Sequence, residues 1–333
     1  MKRIEQFVKN HLVSIVIYIF IIFACTIKLP YYIDAPGGLI NIGERIELGN
    51  KYESEGSINL AYVSEYSVNL PMLILSYFND DWELHKIQTE EEKETYEEDL
   101  IRSKLMMEES YNNAIILAFK KANQEIEIVS TDMYVAYLVE EADTDLVVGD
   151  KILKIDGIEI DNKEALSIYL STLNVGEKIT IDVMYNNQEF KRYAKLIDYD
   201  GTTIIGFSPV EINKFESNPK ITIPTDASEY GPSGGLMISL AVYDAITEQD
   251  ITGGLTIVGT GTIDLDGNVG SIGGVEFKIK GAERKHADIF FVPVGENYET
   301  AKKIVEANNY KIKLVPVETF DDALNYLLEN VAK

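Results

Sequence analysis

The stretch GTGTIDLDGNVGSIGGVEFKIKGAERKHADIFFVP, Gly259 to Pro293, carries the pattern on which the fold turns. Its glycine-rich first half sits between two strand-like runs, LTIVGTGTI (Leu255–Ile263) and ADIFFVPV (Ala287–Val294). The glycines read as turns between strands, because no G-x-x-x-x-G-K-[ST] phosphate loop is present. Its second half holds Lys278 among the apolar neighbours Val275, Phe277 and Ile279. A free lysine has a pKa of ~10.4, so roughly one in a few thousand is neutral at pH 7. An apolar setting disfavours the ammonium and turns a lysine into a usable base.

Upstream, SEYGPSGGLMISL (Ser228–Leu240) sets Ser233 between Gly231-Pro232 and Gly234-Gly235. The proline blocks helix before the serine, and the glycines let backbone approach a ligand. Leu236, Ser239, Leu240 and Tyr243 follow at i, i+3, i+4 and i+7, which predicts a helix beginning at the serine. Its free N–H groups would suit a developing oxyanion. Two readings stand side by side here: Ser233 as nucleophile, and Ser233 as an ordinary helix cap.

Taken together, the two stretches resemble the proteolytic domain of Lon-type serine proteases. The resemblance implies that Ser233 is the nucleophile of a Ser-Lys dyad. It makes Lys278, in G-G-V-E-F-K, the general base. Thr260, in T-G-T-I, falls where the family has a threonine supporting the lysine, and Gly234 would serve the oxyanion. Gly234 replaces a common alanine, and Tyr230 stands where many members carry an acidic residue. GSINLAYVSEYS (Gly56–Ser67) and LMMEESYNNAIILAFKKAN (Leu105–Asn123) resemble the hairpin and helix that open that domain. A Ser-His mechanism would have to use His286, which lies in the charged stretch ERKHAD.

Residues 126–197 read as a compact insert. LVVGDKILKIDGIEI (Leu146–Ile160) alternates apolar residues around Gly149 and Asp156-Gly157, and KEALSIYLSTL (Lys163–Leu173) has helical spacing. Asn186-Asn187 predicts a hairpin turn. This order and the run L-V-V-G-D-K-I-L-K-I-D-G (Leu146–Gly157) resemble a PDZ domain of the protease-associated kind. By that resemblance Tyr134, Val135 and Ala136 border a peptide groove that receives chain ends by strand addition. The plainer alternative is a small domain that spaces its neighbours.

LVSIVIYIFIIFACTI (Leu12–Ile27) is uncharged and, with its flanks, long enough to span a bilayer. Lys2, Arg3 and Lys9 against Glu5 favour a cytoplasmic N-terminus. A cleaved signal peptide, or lipidation at Cys25 in IFAC, would export the remainder equally. The net charge of −25 excludes a basic nucleic-acid surface. One cysteine and the scattered His11, His85 and His286 leave no metal-ligand spacing, so neither metal nor cofactor is expected. The acidic run Thr89–Leu100 reads as a solvated helix face or loop.

The whole resembles the membrane-anchored, PDZ-containing Lon-like proteases of Gram-positive bacteria, of the pheromone-processing type. That implies an α+β chain: residues 1–11 cytoplasmic, 12–31 transmembrane, 38–125 and 198–333 two parts of one proteolytic domain, and 126–197 a PDZ domain inserted between them. It implies an ATP-independent endopeptidase at the cell membrane that cleaves exported peptides or small membrane proteins, with homo-oligomers as a further expectation. The competing class is a membrane-tethered PDZ adaptor without catalysis, which would need neither Ser233 nor Lys278.

Overall fold

The computed structural model describes residues 2–87 and 95–332. Strand β10 (Ile289–Pro293) is buried at every position, as expected for a strand covered on both faces. Ile289 and Phe291 join the core formed with α5 (Gly235–Ile246) and α8 (Phe320–Asn330). Phe290 and Val292 join the opposite core with α6 (Val275–Arg284) and α7 (Glu296–Asn308). The sheet has six strands in the order β11-β10-β9-β2-β1-β3. These are β1 (Tyr31–Asn41), β2 (Ser57–Ser67), β3 (Glu83–Lys86), β9 (Thr256–Gly259) and β11 (Lys313–Val317), with β10. β2, β9, β10 and β11 run parallel, whereas β1 is antiparallel to both β2 and β3.

Helix α5 is buried on nearly all sides, so it is the central pillar of one layer. Beside it lies α3 (Tyr96–Lys121), started by a capping box between Thr95 and Glu98. α3 enters this core through a stripe of Met107, Tyr111, Ala114, Ala118 and Ala122. Thr319 and Asp322 form the capping box that starts α8. The other layer is tight where α6 crosses β1. A Cβ built on Gly281 would lie 2.8 Å from the carbonyl oxygen of Gly37.

The insert leaves α3 through β4 (Glu125–Leu138) and returns through β8 (Phe207–Asn218). These two strands pair antiparallel from Glu125↔Asn218 to Leu138↔Phe207, with single-residue bulges at Val129 and Ala136. Their far half enters a seven-stranded sheet that continues through β5 (Lys151–Ile155), β6 (Lys178–Tyr185) and β7 (Gln188–Lys195). The predicted hairpin joins β6 and β7, with Asn186 and Asn187 both at positive φ. Helix α4 (Lys163–Leu170) covers this small core through Leu166 and Leu170.

Three boundaries differ from the sequence reading. The insert does not close at residue 197, because the backbone of 207–218 is paired with β4 along its length. Gly56–Ser67 is no hairpin but one long strand whose antiparallel partner is β1. Helix α1 (Lys2–Thr26) stops short of residue 31, and Tyr31 and Tyr32 already belong to β1, so the first sheet starts before residue 38. Within α1, Lys9–Thr26 is long and apolar enough to cross a membrane by length and composition, and suits a signal sequence by the same test. Of the acidic run, 89–94 fall outside the described residues, while Thr95 and the residues after it start α3.

The α6–β1 contact makes a direct test. Gly281→Ala should lower stability by about 1–3 kcal/mol through overpacking against fixed backbone. Gly273→Ala should cost less, since nothing lies within 4 Å of the added methyl. Denaturant unfolding of the two variants reads the difference; equal midpoints would contradict the close packing.

Candidate active site

Ser233 sits in the turn that precedes α5, held from two sides. Its carbonyl accepts the Gly261 N–H at 2.8 Å and the Thr260 hydroxyl at 3.1 Å. Leu236 N–H donates back to the Gly261 carbonyl at 3.1 Å, so the turn is stitched to the end of β9. From α3, the Ser110 hydroxyl donates to the Pro232 carbonyl at 2.8 Å, and Gly231 N–H donates to the Ser103 carbonyl at 3.1 Å. Neither serine of α3 was singled out from the sequence. They share the inward face of a helix whose apolar residues dominated the pattern.

Lys278 lies in the first turn of α6, whose start is fixed by Gly274 at φ 67°. Its side chain runs into the interior, leaving the residue 4% exposed. Its Nζ donates to Thr260 Oγ1 at 3.1 Å. Thr260, fully buried, thus links the lysine to the main chain of the serine: its oxygen accepts from Lys278 and its proton goes to the Ser233 carbonyl. Burial drives the Lys278 pKa down to about 7, opposed by the nearby Glu276 carboxylate. The amine is therefore substantially neutral near pH 7 while still able to take a proton.

Among the described residues, no group accepts the N–H of Ser233 or of Gly234. These two donors lie at the N-terminal end of α5, where the helix dipole favours negative charge. The cap reading of Ser233 does not hold. The helix starts at Gly235, its N-cap is Gly234, and no side chain caps it. Ser233 precedes the cap, which leaves its hydroxyl without a structural bond.

Tyr230 reaches Glu65 of β2, and so does Tyr96, whose hydroxyl donates to Glu65 Oε1 at 2.8 Å. Burial, followed by the Glu65 charge, pushes the Tyr230 phenol above its ordinary range, and Tyr96 is pushed up to about 12. Two neutral phenols thus share one carboxylate beside the serine turn. His286 is exposed at the end of α6, and Lys280 is engaged with Asp81 at 2.7 Å. Neither competes with Lys278. On the α3 side of the turn lies an open cavity of about 460 Å³, lined by Lys104, Met107, Tyr111, Ile223 and Glu229 among others.

The expected groove residues are placed differently. Tyr134 is bonded in register to Lys151 of β5 and to Val210 of β8. Val135 exchanges bonds with Asp150 and Gly149, and Val135 and Ala136 are buried. Both edges of this strand are taken, so Tyr134–Ala136 cannot receive an added strand. One edge of this sheet is β8, next to α4: Glu211 of β8 approaches the Lys163 ammonium at 3.8 Å.

Residues 208–330 match the family model of the Lon protease (S16) C-terminal proteolytic domain. That segment contains Ser233, Thr260 and Lys278. The chain is similar to the Lon protease of Campylobacter jejuni, 30% identical over 189 residues, covering 54% of this chain and 22% of that protein. The Lon protease of Clostridioides difficile is 27% identical over 206 residues, covering 57% of this chain and 26% of that one. The chain therefore spans about a quarter or less of the length of these curated relatives. Among solved structures, it is similar to the PDZ domain of an SdrC-like protein from Listeria innocua. That likeness is 28% identical, with a TM-score of 0.22, and covers 23% of this chain and 92% of that one.

The glycines of the turn should part company on substitution. A Cβ on Gly235 would lie 2.9 Å from the Ile263 nitrogen, whereas on Gly234 the nearest atom, at 3.0 Å, is the mobile end of Leu60. Gly235→Ala should cost about 1–3 kcal/mol and Gly234→Ala well under that, by denaturant unfolding. Lys278 supplies a second test. Its folded pKa of about 7 lies below its unfolded value, so the unfolded chain binds the extra proton between the two. Stability should rise with pH across that window, and Lys278→Met should remove this slope and raise the unfolding midpoint below pH 7. An unchanged slope would mean that the lysine is not buried.

Proposed function

We propose that this chain is a membrane-anchored serine endopeptidase that works without ATP through a Ser233-Lys278 dyad. The observation that carries the reading is Lys278: a buried amine with a pKa brought near 7 and linked through one hydroxyl to the serine's own backbone. Thr260 takes one N–H of the neutral amine, which orients the lone pair that remains. Ser233 Oγ attacks the scissile carbonyl as its proton passes to Lys278 Nζ. The oxyanion is received by the free N–H groups of Ser233 and Gly234. Collapse expels the amine, which takes the proton back from Lys278, and leaves an ester on Ser233. Water then repeats the sequence, with Lys278 again as base, and releases the acid.

The proposed substrates are peptides, flexible segments or small membrane proteins already outside the cell. The insert, read as a PDZ domain, would recruit chain ends along the β8 edge. The positive residues before the apolar helix support a cytoplasmic N-terminus and an external catalytic domain.

Ser233→Ala and Lys278→Ala should each lower peptide cleavage by at least about a thousandfold while leaving the fold intact. The rate of the wild type, as kcat/KM, should climb with pH and level off above about 7, since the neutral amine is the base. Full activity in either variant, or a requirement for ATP, would end the proposal.

A further inference from the structure

Helix α2 (Leu70–Ser76) and the turn after it present an apolar surface that the fold does not use. Leu70, Ile74, Tyr77 and Phe78 recur at i, i+4, i+7 and i+8, with Leu75 beside them. Ile74 and Leu75 are 54% exposed, Tyr77 77% and Phe78 82%. The inward side is satisfied separately: Met72 and Leu73 pack on Ile33, Ala35 and Val68, together with Trp82. A contiguous patch of this kind on a chain so rich in charge marks a contact surface.

Its position identifies the contact. Asn69, the N-cap of α2, donates through Nδ2 to the Cys25 carbonyl at 3.0 Å, at the end of α1. Leu29 N–H donates to the Val68 carbonyl at 2.7 Å. Helix α2 therefore starts where the apolar helix ends, and its outer stripe continues the exposed apolar surface of α1. After Phe78 the chain turns polar at once, through Asn79, Asp80 and Asp81. We propose that Leu70–Phe78 lies in the outer interfacial layer of the same bilayer that α1 crosses, with Tyr77 and Phe78 at headgroup depth. This rests on reading α1 as a membrane span. The occupant is lipid acyl chain and not an anionic headgroup, since the segment carries no cation.

The second contact reaches the catalytic helix. Asp81, immediately beyond the segment, pairs with Lys280 at 2.7 Å and with Arg284, both on α6. Lys278 is on that helix. The domain is thus seated on the membrane through two adjoining elements, and α6 is held at a set height instead of swinging from a tether.

The test uses the full chain in phosphatidylcholine vesicles, in a Cys25→Ala background. A polarity-sensitive fluorophore is placed at Phe78→Cys, and in separate samples at Ile17→Cys and Glu216→Cys. The quencher is a doxyl nitroxide carried near the headgroup end or at the far end of the acyl chain. The Phe78 label should be quenched at least about twofold by the shallow nitroxide, and the Ile17 label by the deep one. The Glu216 label should respond to neither. Quenching at Ile17 without quenching at Phe78 would overturn the interfacial seat and leave the anchor standing. Quenching at neither would overturn both. A Phe78 label shielded from water but untouched by either nitroxide would assign the patch to a protein partner, and would equally overturn the proposal.

Discussion

The layer around Lys278 is arranged to keep one ammonium out of water. Lys278 is buried with a hydroxyl as its hydrogen-bond partner, so against desolvation its charged form gains only the weaker pull of the nearby Glu276 carboxylate. A carboxylate in the place of Thr260 would hold the lysine protonated and useless as a base. A wholly apolar pocket would leave its position undefined. The threonine resolves both demands because its own proton is committed to the Ser233 carbonyl, which fixes the direction in which it accepts. For that, the end of β9, the start of α5 and the first turn of α6 must meet within a few ångströms. The glycines at 235, 259 and 261 allow this meeting, each standing where a side chain would strike a neighbour.

Tyr230 illustrates how a missing group can be replaced from another element. The sequence shows an aromatic residue where the family resemblance leads one to expect an acid. In the fold its phenol meets Glu65, far away in the chain on β2. The carboxylate is still beside the serine turn, but it is reached through a neutral phenol.

Ser233, Thr260 and Lys278 were singled out through a family resemblance, because the local pattern of glycines and apolar residues left Ser233 open between nucleophile and helix cap. The apolar N-terminal helix and the hairpin at Asn186-Asn187 were legible because their determinants are neighbours in sequence. What was missed is non-local. Strand β1 begins with two tyrosines just after Lys28 and Pro30, which mark the end of the apolar run, but only its pairing with β2 and β3 shows that a strand begins there. The groove residues 134–136 carried a strand signal, but nothing in that signal tells which edge a strand 70 residues later will occupy. Ser103 and Ser110 act through hydrogen bonds to a loop more than a hundred residues away, which no periodicity reports.

The paired strands β4 and β8 make the connection to the inserted sheet a two-stranded ribbon, with only Ala122–Gln124 between α3 and β4. Such a joint constrains inheritance as much as motion. Because side chains alternate faces, loss of one residue from one strand would turn the following residues of that strand inside out, whereas loss of a facing pair only changes how far the far domain projects. The inserted domain is therefore exchangeable as a cassette, provided that its stem is lengthened or trimmed on both strands together. The bulges at Val129 and Ala136 are the points where that ladder already tolerates an unmatched rung.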